Sequence, residues 1–122
     1  VHAFAQEQTV GFHFADKRRS VTFPFEWHSN LIIVPVRINN SDTLNFILDT
    51  GISMNLVTDP EVGRSLGLRY FRKVNVLGAG SGSPLQASVS VNNRIWLPGV
   101  RAEGQSVVVL NQDLLQLSNY VG

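Results

Sequence analysis

Cysteine is absent from the 122 residues, which excludes disulfides, zinc–thiolate centres and thiol nucleophiles together. Histidine is scarce: His2, His13 and His28 stand singly, with no second histidine or carboxylate at a ligand spacing, so these residues offer no metal site. Charge of one sign is missing as well. Ten Lys and Arg against nine Asp and Glu leave a net charge of +1. The only basic run, Lys17-Arg18-Arg19, is three residues long and gives no electrostatic footprint for nucleic acid. No apolar stretch approaches the roughly 18 residues needed to cross a bilayer. What is present is 43% hydrophobic and 9% aromatic residues with only 16% charged, the composition of one folded domain around one core.

The chain opens at Val1 and its single methionine is Met54, so Val1 does not read as a translation start. Ala3-Phe4-Ala5 before Gln6 has the small-x-small character of a signal-peptide end, which would make the protein exported, periplasmic or extracellular. An ordinary apolar stretch explains the same residues, and both readings stay open. The other end, Gly122, carries no polar tail, so the chain reads as a piece of a longer protein.

Residues 1–19 show no sustained period and read as a flexible lead-in with one short strand at Val10–Phe14. Val21–Phe25 alternates around Pro24, which suits an edge strand. Leu31–Ile38 is the strongest strand signal, with Ile32, Val34, Val36 and Ile38 on one apolar face. Asn39-Asn40-Ser41-Asp42 is a turn, since Asn and Asp tolerate left-handed or side-chain-bonded backbone, and Leu44–Leu48 returns as a second strand. Asn39-Asn40-Ser41 is also a glycosylation sequon, but the turn accounts for it. Asp59-Pro60-Glu61 starts a short helix ending near Leu66 with Gly67 as its stop. Alternating stretches follow at Phe71–Leu77, Leu85–Val91, Arg94–Leu97 and Gln105–Leu110. Short strands at close spacing with one short helix predict an all-β barrel or sandwich, with Phe46 and Leu48 joining the face of Ile32–Ile38 in one core. No repeat and no linker interrupts the chain.

One ionisable residue sits in an unusual setting. Phe46-Ile47-Leu48 reads as a buried strand that runs straight into Asp49-Thr50-Gly51. A carboxylate there is costly unless hydrogen bonds or a partner stabilise it. Gly51 allows a sharp turn and a close approach of its N–H to the carboxylate. An Asx-turn closing a strand would explain the three residues without any function. Gly78-x-Gly80-x-Gly82 lacks the end of the dinucleotide fingerprint, and the alternating Leu85–Val91 follows it rather than a helix. A bending hairpin tip accounts better for three glycines. Trp27 and Trp96 carry no assigned role, and no Ser, His and acid stand in a hydrolase order.

Leu48-Asp49-Thr50-Gly51-Ile52-Ser53 resembles the active-site loop of the retropepsin-like aspartic proteases, the single-domain kind with one Asp-Thr-Gly per chain. The order of parts is similar too: the strand pair Leu31–Leu48 delivers the motif, Asn55–Thr58 follows as a short apolar strand, and Val74–Leu85 looks like a flap hairpin with Gly78, Gly80 and Gly82 at its tip. Asn30-Leu31-Ile32, Val34-Pro35-Val36 and Ile38-Asn39 resemble the exported bacterial members. The resemblance covers roughly residues 20–110, with 111–122 as a tail. Two features depart from the pattern. Ile52 is bulky where family members have a small residue. The family's second loop, two apolar residues then Gly leading into a C-terminal helix, has no counterpart between Val107 and Gly122, although Val108-Val109-Leu110 looks like the strand before it and Asp113–Leu117 like the connection.

The resemblance implies a retropepsin-like closed barrel that lacks the C-terminal loop and helix, and an aspartic endopeptidase without a cofactor. Two Asp49 carboxylates would meet on the axis of a homodimer, share one proton and activate a water. Thr50 would brace the two loops and Gly51 would donate to the carboxylate. Ser53 and the tip Gly78, Ala79, Gly80, Ser81 and Gly82 would contact an extended peptide or protein substrate that adds as a strand. A downstream peptide-binding domain in the parent chain belongs to the same expectation. Two other classes stay open: a peptide-binding module without turnover, and a structural β domain of a larger exported protein.

Overall fold

The computed structural model describes residues 11–76 and 84–112 of the chain. Eight strands and one helix form an all-β domain in which one sheet curls into a half-barrel. The strands are β1 (His13–Phe14), β2 (Glu26–His28), β3 (Leu31–Ile38), β4 (Leu44–Ile47), β5 (Asn55–Val57), β6 (Tyr70–Val76), β7 (Leu85–Leu97) and β8 (Val100–Leu110). Helix α1 (Pro60–Ser65) lies between β5 and β6. The spine of the sheet runs β1-β8-β7-β3-β2, with β4 on β3, β5 on β8 and β6 on β7. All pairs are antiparallel except β5 with β8.

The alternation read in β3 holds. Val34, Val36 and Ile38 are buried, and Ile32 packs against them from a partly covered position. Val57, Ile95, Val107 and Val109 complete this first cluster, with Phe46, Val62 and Leu66 at its margin. Each such side chain contributes about 1.5–3 kcal/mol by leaving water. A second cluster of Ala87, Val89, Val108 and Leu110 lies on the other face of β7 and β8, next to Val74 and Val76 of β6.

Two irregularities decide which face each half of the β7–β8 hairpin presents. From Ser90↔Val107 to Asn93↔Gln105, β7 advances three residues while β8 advances two; from there to Ile95↔Ala102, β7 advances two and β8 three. Asn92 (φ 62°) and Gly104 (φ 65°) are the left-handed residues of these bulges. A one-residue insertion flips every later side chain to the other face. Ala87 and Val89 therefore face the second cluster while Ile95, of the same parity, faces the first. Two stretches that read as separate strands, Leu85–Val91 and Arg94–Leu97, are one strand with a bulge.

Asn93, only 4% exposed, fills the bulge. It donates to Ser90 Oγ at 3.1 Å and to the Gln105 carbonyl at 3.3 Å, and accepts from Asn39 Nδ2 at 3.0 Å. Asn39 (φ 54°) turns the chain between β3 and β4, and its Oδ1 accepts from the Arg94 N–H at 3.0 Å. Both amide groups of the sequon asparagine are thus engaged within the fold, as the turn reading requires.

The helix follows its capping residues: Asp59 accepts from the Glu61 N–H, Pro60 opens the first turn and Gly67 (φ 61°) follows the last. One expectation differs. Val21–Phe25 forms no strand and pairs with none among the described residues, and the strand is Glu26–His28, beyond Pro24, which has no N–H to give a ladder. In the lead-in, β1 pairs with Arg101 and Val100 at the start of β8, and the Ala15 N–H donates to the Gly99 carbonyl at 3.0 Å.

Candidate active site

The β3–β4 hairpin ends where the Asp-Thr-Gly loop begins. Ile33–Val36 of β3 pair with β4, and the Leu48 N–H donates to the Ile32 carbonyl at 2.9 Å, one step beyond the regular ladder. The loop's far end is held by β5, which lies parallel to Val107–Val109 of β8. Asn55 adds a side-chain tie there: its Nδ2 donates to the Ser106 carbonyl at 3.0 Å and to Gln105 Oε1 at 3.4 Å. Residues 48–54 are therefore tethered at both ends to two different strands of the sheet.

Between the tethers, the Gly51 N–H donates to Asp49 Oδ1 at 2.8 Å. A Cβ on Gly51 would stand 3.2 Å from the same oxygen, so a larger residue would crowd the carboxylate. Room, rather than a left-handed backbone, is what Gly51 supplies here. Asp49, Thr50, Gly51 and Ser53 share one exposed loop, and the Thr50 hydroxyl makes no hydrogen bond among the described residues. The tip residues Gly78, Ala79, Gly80, Ser81 and Gly82 lie outside the described residues, as does Asp113–Leu117; β6 and β7 on either side of the tip are in place.

One expectation is overturned. Leu48 does not join the core: it is 58% exposed, and Asp49 after it is exposed as well. The cause is position along the sheet. Ile32 sits at the rim of the first cluster, and the residue opposite it across β2, Trp27, is exposed too. Strand alternation places Leu48 on the apolar face, but no described segment of this chain covers that end of the face. Ile52 and Met54 are exposed large apolar side chains in the same loop.

Asn55 and Gln105, which secure the loop's exit, carried no sequence signal of their own. The arrangement can do one chemical thing: present an oriented carboxylate, with one oxygen occupied by a backbone donor, at an open surface bordered by apolar side chains. Comparison with known families agrees with this. The sequence profile of the aspartyl protease family, a member of the retropepsin-like clan, matches residues 34–119, from the middle of β3 through the Asp-Thr-Gly loop and beyond β8, and the chain belongs to that family. No curated protein and no solved structure gives a significant match.

Proposed function

We propose that the domain is an aspartic endopeptidase that works as a two-fold homodimer, with one Asp49 from each copy. The observation that carries this reading is the open loop itself. A single carboxylate, held by Gly51 and tethered through Leu48 and Asn55, stands beside exposed Leu48, Ile52 and Met54. Peptide hydrolysis by paired carboxylates requires two of them about 3 Å apart sharing one proton, and this chain has one Asp-Thr-Gly. A second copy related by two-fold symmetry supplies the other and covers the exposed apolar side chains in the same step.

In this reading one carboxylate takes a proton from water while the other donates one to the scissile carbonyl. The Gly51 N–H keeps the acceptor oxygen fixed, and Thr50 braces one loop against its symmetry mate. The substrate lies extended between the loop and the β6–β7 hairpin, where main-chain hydrogen bonds supply affinity.

Cleavage of a broad peptide library tests it. Activity should peak on the acidic side, where one proton resides on the pair, and Asp49→Asn should lower it by about a thousandfold or more. Mixing wild-type and Asp49→Asn chains should leave activity in proportion to the square of the wild-type fraction, with loss on dilution. A linear dependence would show that one chain suffices. Peptide binding without cleavage, unchanged by Asp49→Ala, would assign a non-catalytic peptide-binding module instead.

A further inference from the structure

We propose that the outer edge of β6 is a docking strip for an extended peptide segment carrying two adjacent acidic residues. The proposal does not depend on Asp49 acting as a catalyst. It begins with charge. The chain as a whole is nearly neutral, yet no Asp or Glu occurs between Glu61 and Glu103, a stretch that holds Arg64, Arg69, Arg72, Lys73, Arg94 and Arg101. Arg64 is paired with Glu61. Arg69, Arg72 and Lys73 are all exposed and make no ion pair among the described residues.

The backbone of this segment is as open as its charges. β6 pairs with β7 along one side and with no strand along the other among the described residues. An unpaired strand edge presents a row of N–H and C=O groups that can accept another strand. Phe71, 58% exposed, sits at the irregularity between Tyr70 and Arg72, with the Arg72 guanidinium 5.3 Å from its ring. Stacking of this kind limits the arginine's freedom and leaves its N–H fork available to a carboxylate. A shallow concavity of about 310 Å³ adjoins the strip, lined by Lys73, Val74, Asn75 and Gln86.

Charge alone would suit any polyanion. The free edge favours a peptide, because a nucleic acid or an anionic bilayer engages the cations but leaves the strand's hydrogen-bonding groups to water. Geometry then defines the motif. Val74 and Val76 turn toward the second cluster, so strand alternation puts Arg72 on their side and Lys73 on the opposite one. Residues of an added strand opposite these two also alternate, with directly opposed Cβ atoms about 4.5–5.5 Å apart. Two consecutive acidic residues therefore reach one cation each, whereas acids two positions apart lie on one side and reach only one of the pair.

The test uses the 122-residue chain carrying Asp49→Asn, so that cleavage cannot consume the probe, and reads fluorescence anisotropy. The probes are a Thr/Val peptide with Glu-Glu at its centre, the same composition with Glu-Thr-Glu, and a thymidine oligonucleotide of equal charge. The adjacent-acid peptide should bind about threefold more tightly than the spaced one, the worth of one cross-strand charge pair. Arg72→Glu with Lys73→Glu should weaken it by about tenfold or more, and salt should weaken it in the parent Asp49→Asn chain. Circular dichroism should stay unchanged because both side chains are exposed. If the reversed-charge variant fails to fold, Arg72→Gln with Lys73→Gln must still weaken binding by about threefold per lost pair, less than the reversal because it adds no repulsion. Equal affinity for the two peptides, or affinity indifferent to both variants, overturns the proposal. Tighter binding of the oligonucleotide than of the adjacent-acid peptide overturns it too and assigns the strip to nucleic acid.

Discussion

The two ends of β3 obey the same alternation and meet different fates. At the Ile38 end the side chain is fully buried, the next residue turns on Asn39, and Asn93 joins the turn to the β7–β8 bulges. At the Ile32 end the opposing residues Trp27 and Leu48 project into solvent, and the chain passes directly into the Asp49 loop. One end is covered by the domain's own residues and the other by none that are described. The pattern of a strand specifies which way a side chain points, while the surrounding chain determines whether anything meets it there. In the proposed dimer the apolar residues at this end become the surface for association.

The contrast can be broken most sharply at Ile38. Ile38→Ala should cost about 2–5 kcal/mol in urea denaturation, because the site is enclosed and cannot collapse freely. A loss no larger than that of Leu48→Ala would erase the distinction between the ends. Gly63→Ala tests the packing under β8: alanine favours a helix by about 1 kcal/mol, but a Cβ here would run into Val109 Cγ1. Overpacking of about 1–3 kcal/mol should win, and a raised melting temperature would show that β8 gives way.

Asn93→Ala should follow at about 1–3 kcal/mol, the cost of leaving the half-buried Asn39 Nδ2 and the buried Ser90 Oγ unmatched. The same substitution should speed hydrogen exchange at Arg94, whose N–H is held by Asn39. Smallest is Leu48→Ala, within about 0.5 kcal/mol for the isolated chain. Sedimentation should nevertheless show that substitution weakening self-association, which separates a surface for a second copy from an inert one.

Much of this was legible in the residues. Ile32 to Ile38 showed their face, and Asp59, Pro60 and Gly67 bounded the helix, because period and capping are local properties. The close approach of the Gly51 N–H to the Asp49 carboxylate was legible because it joins near neighbours in the chain. Leu48 was misread since nothing local reports cover. The division of β7 into two strands had a similar origin: Asn92 and Asn93 look like a break, and only the ladder to β8, where three steps on β7 match two on its partner, makes them a bulge. Asn55 was silent because its partners, Gln105 and Ser106, lie fifty residues away in the chain.

The paired bulges have a genetic consequence. Each extra residue, one in β7 and one in β8, is absorbed where it occurs like an in-frame insertion, and the partners on either side of it stay matched. Deleting Asn92 alone should leave two steps on each strand between Ser90↔Val107 and Asn93↔Gln105 and keep every pair from Ile95↔Ala102 to Leu97↔Val100, and deleting Gly104 alone should keep them with only the β7 bulge remaining. Deleting both should give an unbulged ladder in the same register with Ile95 still on the face of the first cluster, because each deletion removes the very step by which the extra residue offset the alternation. Sequences that keep this fold should therefore gain or lose either residue independently, and a bulge on one strand needs no matching insertion opposite it.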